Sequence, residues 1–415
     1  MGNFSVEGIL IIGSILVFLS IIASKVSNEL GVPVLLIFLG ISMLAGSDGI
    51  GGIQFDNAYA AQILGSVTLS IILFSGGLET NREKIKPILI PGLILATIGV
   101  AITAILLGVC SYYIIDDFSM KESLLLGSLV ASTDAAAVFS ILRSQNLNIK
   151  KNVASLLEFE SGSNDPMAYF LVIFFISLMS GNKMSTKNGI VMFFQGISIG
   201  IFIGIYMGQA MKMLVEKINL NNESFYPGFT LSMAMFTYSM TNYIGGNGFL
   251  AVYIAGIILG ENKFIYKERL LWFYNSVAWV FQMIMFISLG LLISPSKLTT
   301  LLPKGIIVFL VLSFIVRPIS VFLCLWKNNF NKNEKIFLSF AGLRGATSIV
   351  FATYPVLAGI KHADKMFNIV FIIVVFSFML QGTTIPLVSK LLKIKEDEEI
   401  KKEEIKKEKK NKKEN

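Results

Sequence analysis

Two carboxylates inside long apolar runs are the residues of this 415-residue chain best placed to do chemistry: Asp134 in "GSLVASTDAAAVFSIL" and Asp165 in "LLEFESGSNDPMAYFLVIFF". A charge at membrane depth costs a few kcal/mol even on lenient insertion scales, so such residues mark ion or proton pathways. Asp165 has a neutral neighbour, Asn164, and no basic residue within its own run. A buried carboxylate without a fixed counter-ion takes either a proton or a small cation and is poorly able to stay bare. Two ligands competing for one site is the chemistry of an exchanger. One carboxylate that swaps one proton for one monovalent cation moves no net charge, so the pattern implies electroneutral exchange. Hard monovalent cations prefer oxygen, and Thr133 and Ser161 stand beside acids as candidate hydroxyl or carbonyl ligands.

The other intramembrane charges are sorted by depth. At a rise of about 1.5 Å per residue, Glu160 lies about 12 Å and Asp165 about 20 Å into their run, Asp134 about 18 Å in from the opposite side, and Arg344 about 14 Å into its own. Asp134 and Asp165 then share the midplane, while Glu160 and Arg344 share a level and are expected to form a structural ion pair. Arg317, in "SFIVRPISVF", falls near the level of Glu158, where a second pair or a snorkelling contact competes with a transport role. Asp134 has a structural alternative, as a hydrogen-bonding partner of a neighbouring helix. Glu79, ending "LFSGGLET", reads equally as an exposed helix-end carboxylate or as the lining of a cation funnel's mouth.

These residues need elements that hold them at depth. The chain is 54% hydrophobic and 15% charged, with a mean hydropathy of +0.71, more apolar surface than one water-soluble core can bury. That composition implies an all-α polytopic membrane protein. Breaking the sequence at charged and Gly/Pro-rich stretches leaves about thirteen apolar runs, of which the second and ninth are short. "ASTDAAA" in the fifth run and "GLRGATS" in the twelfth gather Ser, Thr and Gly at mid-membrane, where helices can unwind and offer carbonyl oxygens. Each is the middle span of a three-span unit, and the units enter from opposite sides. The expected architecture is an inverted repeat of about 13 transmembrane helices with two unwound helices crossing at its centre.

Loop charges orient the runs. The connections "TNREKIKP", "RSQNLNIKK", "ENKFIYKER" and "KNNFNKNEK" each carry three Lys or Arg, while "GSDGIGGIQFDN" and "GGN" carry none. The positive-inside rule then puts the amino terminus outside and the carboxyl terminus in the cytoplasm of a cell membrane. The net charge of +8 sits largely in these connections and in the final segment, which favours topology over a nucleic-acid partner. Residues 392–415 read as a charged cytoplasmic tail. No cleavable signal peptide is expected, because the first run lacks a basic flank and a small-residue cleavage site. Cys110 and Cys324 lie in separate apolar runs and read as packed thiols, with no metal cluster. His362, in "GIKHADKM", reads as a solvated loop residue rather than a proton relay.

Taken in order, "STDAAAVFSILR", "LLEFESGSNDPMA" and "AGLRGATSIVFA" resemble the NhaP-type bacterial branch of the monovalent cation:proton antiporters, the Na+/H+ or K+/H+ exchangers. The similarity runs from about Ile9 to Leu391. It implies a thirteen-helix inverted-repeat fold, a homodimer, and a transport domain moving against a dimer domain. The resemblance divides the chain into dimer-interface helices in 1–85 and 181–298, transport-domain helices in 86–180 and 299–391, and the tail. It implies that Asp165 carries both cation and proton, that Asp134, Thr133 and Ser161 complete the site with Asn164 beside them, that Glu79 lies near the cation, and that Glu160 pairs with Arg344. No cofactor is expected beyond the transported Na+ or K+ and H+. "ESGSNDPMA" is similar to members called potassium/proton antiporters, which often carry a regulatory domain. The short charged tail departs from them, which puts ligand gating in question.

Two rival classes are weighed on the same residues. Paired intramembrane aspartates also build an aspartyl protease, but the Gly-x-Gly-Asp segment of that type is absent. A passive cation channel needs a continuous pore, whereas one titrating carboxylate among interrupted helices suits alternating access.

Overall fold

The computed structural model describes residues 11, 13–22, 25, 34–55, 57–80, 82–145, 147–180, 186–218, 222–261 and 267–394. The charged tail from residue 395 onward and the start of the first apolar run lie outside the described residues. Among the described residues the chain is helical, and the one β pairing is an isolated bridge between Gly46 and Ile53. In chain order the helices are α1 (Gly13–Ile22), α2 (Val34–Ala45), α3 (Ala58–Glu79), α4 (Lys86–Ile114), α5 (Met120–Leu129), α6 (Ala135–Ser144), α7 (Lys151–Met179) and α8 (Thr186–Lys217). They continue as α9 (Phe225–Tyr243), α10 (Gly248–Gly260), α11 (Lys267–Leu291), α12 (Pro295–Cys324), α13 (Lys332–Phe340), α14 (Ala346–Leu357) and α15 (Ala363–Leu391).

Seven of these, α3, α4, α7, α8, α11, α12 and α15, are long and apolar enough to cross a bilayer. Their outward faces agree: Ile190, Val191, Phe194, Phe202 and Tyr206 of α8 are exposed, which water would not favour and lipid does. Local chemistry sets the helix starts. Asn57 accepts from the Ala60 amide at 3.0 Å, and Ser119 and Asn331 each form a reciprocal capping box, with Glu122 and Glu334, that opens α5 and α13.

Helices approach closely where glycine removes a side chain. A Cβ on Gly77, Gly256 or Gly260 would overlap the facing backbone between α3 and α10. In lipid, where burying apolar surface between helices gains little, such close packing is what joins them.

Two kinds of irregularity position the site. The first is a pair of breaks: residues 130–134 between α5 and α6, and 341–345 between α13 and α14, are not helical. These are the two interruptions expected from "ASTDAAA" and "GLRGATS". The second is a set of three π turns, Leu95–Gly99 in α4, Leu312–Val316 in α12 and Ser377–Gly382 in α15. Each π turn inserts an extra residue and so rotates the remainder of its helix by about 100° relative to an unbroken α register.

Candidate cation and proton site

The two breaks cross and are hydrogen-bonded to each other. The Asp134 amide donates to the Leu343 carbonyl at 2.8 Å. Arg344 Nη1 donates to the carbonyls of Ala131 at 2.7 Å and Ser132 at 2.8 Å. A guanidinium thus takes up carbonyls that the broken helix leaves without N–H partners. Gly345 makes the crossing sterically possible: a Cβ there would sit 2.6 Å from Asp134 Cβ and closer still to its carboxylate. The second break is held from α15, where Ser377 Oγ accepts the Arg344 amide at 3.0 Å and donates to Gln381 Oε1 at 2.8 Å. Gln381 Nε2 donates to the Phe340 carbonyl at 3.1 Å. Both Ser377 and Gln381 lie in the π turn.

Helix α7 lays three polar residues, Ser161, Asn164 and Asp165, against the first break. Asp165 stands at the middle of this 29-residue helix, followed by Pro166, which withdraws an N–H from the helical ladder. Ser132 Oγ donates to Asp165 Oδ1 and lies 3.2 Å from Asn164 Oδ1. Asn164 Nδ2 donates to Thr133 Oγ1 at 2.7 Å. Ser161 Oγ bridges the gap itself, accepting from the Ala135 amide at 2.9 Å and donating to the Thr133 carbonyl at 2.9 Å. Asp134 Oδ1 accepts from the Ala137 amide at 3.1 Å, so this carboxylate also caps α6. Asp134, Asp165, Asn164, Ser161 and Thr133 are therefore brought together, with Ser132 as a member that sequence reasoning passed over. Its signal was present: in an unwound stretch every side chain, not only the acid and its neighbour, is free to turn inward.

The expected Glu160–Arg344 ion pair is replaced by another. Arg317 Nη2 donates to Glu160 Oε1 at 2.6 Å, with the two side chains 2% and 1% exposed. Depth along a helix does not fix its rotation, and Arg317 comes directly after the π turn of α12. Gly342 admits the guanidinium, since a Cβ there would lie 2.8 Å from Arg317 Nε.

Glu79 is not joined to this cluster by a hydrogen bond. Exposed at the end of α3, it accepts from Asn275 Nδ2 of α11 at 2.8 Å. His362 is not simply solvated: it opens α15 with a left-handed φ of 66°, its Nδ1 lies 2.9 Å from Glu122 Oε1, and its ring stacks on Phe118.

A helical membrane core in which two interrupted helices cross beside a buried carboxylate that accepts from a serine hydroxyl defines a secondary ion transporter. The chain belongs to the transmembrane sodium/hydrogen exchanger family, which matches residues 14–391. The K(+)/H(+) antiporter NhaP of Alkalimonas amylolytica is 39% identical over 386 residues, 93% of this chain and 67% of that protein. The Na(+)/H(+) antiporter ApNhaP of Aphanothece halophytica is 26% identical over 351 residues, 80% of this chain and 65% of that protein. The sodium proton antiporter MjNhaP1 of Methanocaldococcus jannaschii, solved at pH 8, shares the fold with a TM-score of 0.83 at 21% identity, covering 92% of this chain and 98% of that one. The family is one of transporters and not of enzymes, which sets the protease reading aside.

Proposed function

We propose that the chain exchanges one monovalent alkali cation for one proton without net charge movement, with Asp165 carrying each in turn and Asp134, Thr133, Ser161 and Asn164 around it. One observation carries this reading. Both guanidiniums buried near the crossing are already committed, Arg317 to Glu160 and Arg344 to the carbonyls of Ala131 and Ser132. Asp165 accepts a hydrogen bond from the neutral Ser132 hydroxyl and is in neither guanidinium's contact set, and a carboxylate so placed favours occupancy by a proton or a cation over standing bare.

The exchanged ion is Na+ or K+. Glu79 sits at the mouth of the path to the site, and its contact with Asn275 supports a fixed rather than swinging carboxylate there. The transport unit comprises 86–180 and 299–391, moving against a dimer unit of 1–85 and 181–298 in a homodimer. About thirteen crossings place the amino terminus outside and the carboxyl terminus in the cytoplasm of the cell membrane, in keeping with the Lys/Arg-rich connections.

Proton flux in proteoliposomes, with Na+, K+ and Li+ titrated across pH, tests the reading. Cation-driven pH change is expected to vanish in Asp165→Asn while the protein still assembles. Exchange retained in that variant, or steady current at fixed pH, refutes it.

A further inference from the structure

We propose that Ser132 is a positioning residue of the exchange cycle, whose single hydroxyl hydrogen passes between Asp165 and Asn164 and so sets how strongly Asp165 holds a proton against a cation. The proposal rests on Asp165 being the carrier. Ser132 Oγ lies within hydrogen-bonding reach of two acceptors, Asp165 Oδ1 and, at 3.2 Å, Asn164 Oδ1. A serine has one hydrogen to give and two lone pairs to receive with, so it cannot serve both acceptors at once. The Asn164 amide is held in place, because its Nδ2 donates to Thr133 Oγ1 at 2.7 Å and keeps Oδ1 towards Ser132. All four side chains are buried, so water is poorly placed to substitute.

Two arrangements satisfy the set. With Asp165 ionised, bare or holding a cation, Ser132 donates to the carboxylate. With Asp165 protonated, the acid hydrogen is donated to Ser132 Oγ, the hydroxyl turns, and its own hydrogen goes to Asn164 Oδ1. The proton stays on Asp165 throughout; only hydrogen bonds exchange. A hydrogen bond to an ionised acceptor is worth roughly twice one between neutral groups, so Ser132 favours the ionised, cation-bearing form. Asn164 provides the resting acceptor that keeps the protonated form from leaving a buried hydroxyl unpaired.

The test is the pH profile of exchange by the purified full chain in proteoliposomes, with Na+ and K+, for wild type, Ser132→Ala, Ser132→Thr and Ser132→Cys. Thr347 of α14, which also bonds Asp165, and Asp134, the other acid facing it, are the same in all four proteins, so loss of the Ser132 donor alone lets Asp165 keep its proton to higher pH. The half-maximal pH of Ser132→Ala should therefore move in the alkaline direction by roughly half a unit to one unit, with a correspondingly raised KM for the cation below that pH. Ser132→Thr should restore the profile, and Ser132→Cys, a weak donor, should fall between. A rate reduced equally at all pH, or a threonine variant displaced as far as alanine, overturns the proposal. If the alanine variant does not assemble, the cysteine–threonine comparison decides. Asp165→Asn measured alongside separates the levels: exchange surviving there removes the carrier assignment, whereas its loss together with an unmoved Ser132→Ala profile removes only the role of Ser132.

Discussion

A guanidinium and a carboxylate buried together are held by each other more than by the fold, so removing one is worse than removing both. Breaking such a pair typically costs about 3–5 kcal/mol, while replacing it with apolar side chains of similar volume is near neutral. Arg317→Met or Glu160→Leu alone is therefore expected to lower the melting temperature of the detergent-purified protein sharply. The double variant should recover most of the loss. If the double melts no higher than the worse single, the 2.6 Å contact is not the source of the stability. The identities of the buried acids were legible from residue order, because a carboxylate in an apolar run has few structural excuses. The partner of Glu160 was not, since two arginines lay at comparable depths and only side-chain direction distinguishes them.

At the scale of elements, the crossing depends on what is missing at Gly345. A methyl group there would overlap Asp134. Gly345→Ala is expected to abolish exchange while leaving most of the helical circular dichroism intact, because the clash falls on the break and not on a helix. Activity near the wild-type level would show that the two breaks need not touch. The turn between α4 and α5 is fastened differently: Lys304 of α12 and Lys365 of α15 pair with Asp116 at 2.8 Å and Asp117 at 2.6 Å. Hydrogen bonding and charge attraction from those ammonium groups hold both carboxyls below their ordinary value of 3.8. A depressed folded-state value contributes stability above the ordinary value and loses it as pH falls through the folded one. Neutralising both lysines should thus lower the melting temperature slightly at pH 7, less in high salt, and progressively less as pH falls below 3.8 towards 2. An effect of equal size at pH 2 would contradict the ion pairs. The breaks could be read from clustered Ser, Thr and Gly at mid-run, but the three π turns could not, for no residue type marks them.

At the scale of the whole molecule, the proposed division into a moving and a fixed unit makes a mechanical prediction. Helices α3 and α14 belong to opposite units, and a Cβ on Gly65 would lie 3.2 Å from that of Val350. In a background with Cys110 and Cys324 replaced, Gly65→Cys with Val350→Cys should cross-link under oxidation, arrest exchange, and resume it on reduction. Full exchange by a fully cross-linked protein would show that this boundary does not move. That the chain is a helical membrane protein, and where its two breaks fall, could be read from residue order, because hydrophobic run length and rise per residue encode position along a helix axis. Which arginine meets Glu160, how Arg344 fastens the carbonyls of the opposite break, and that Ser132 faces Asp165 emerge from the packed helices alone. Those contacts depend on rotation about the axis and on which helix lies alongside, and three inserted π turns had altered that rotation without leaving a trace in composition.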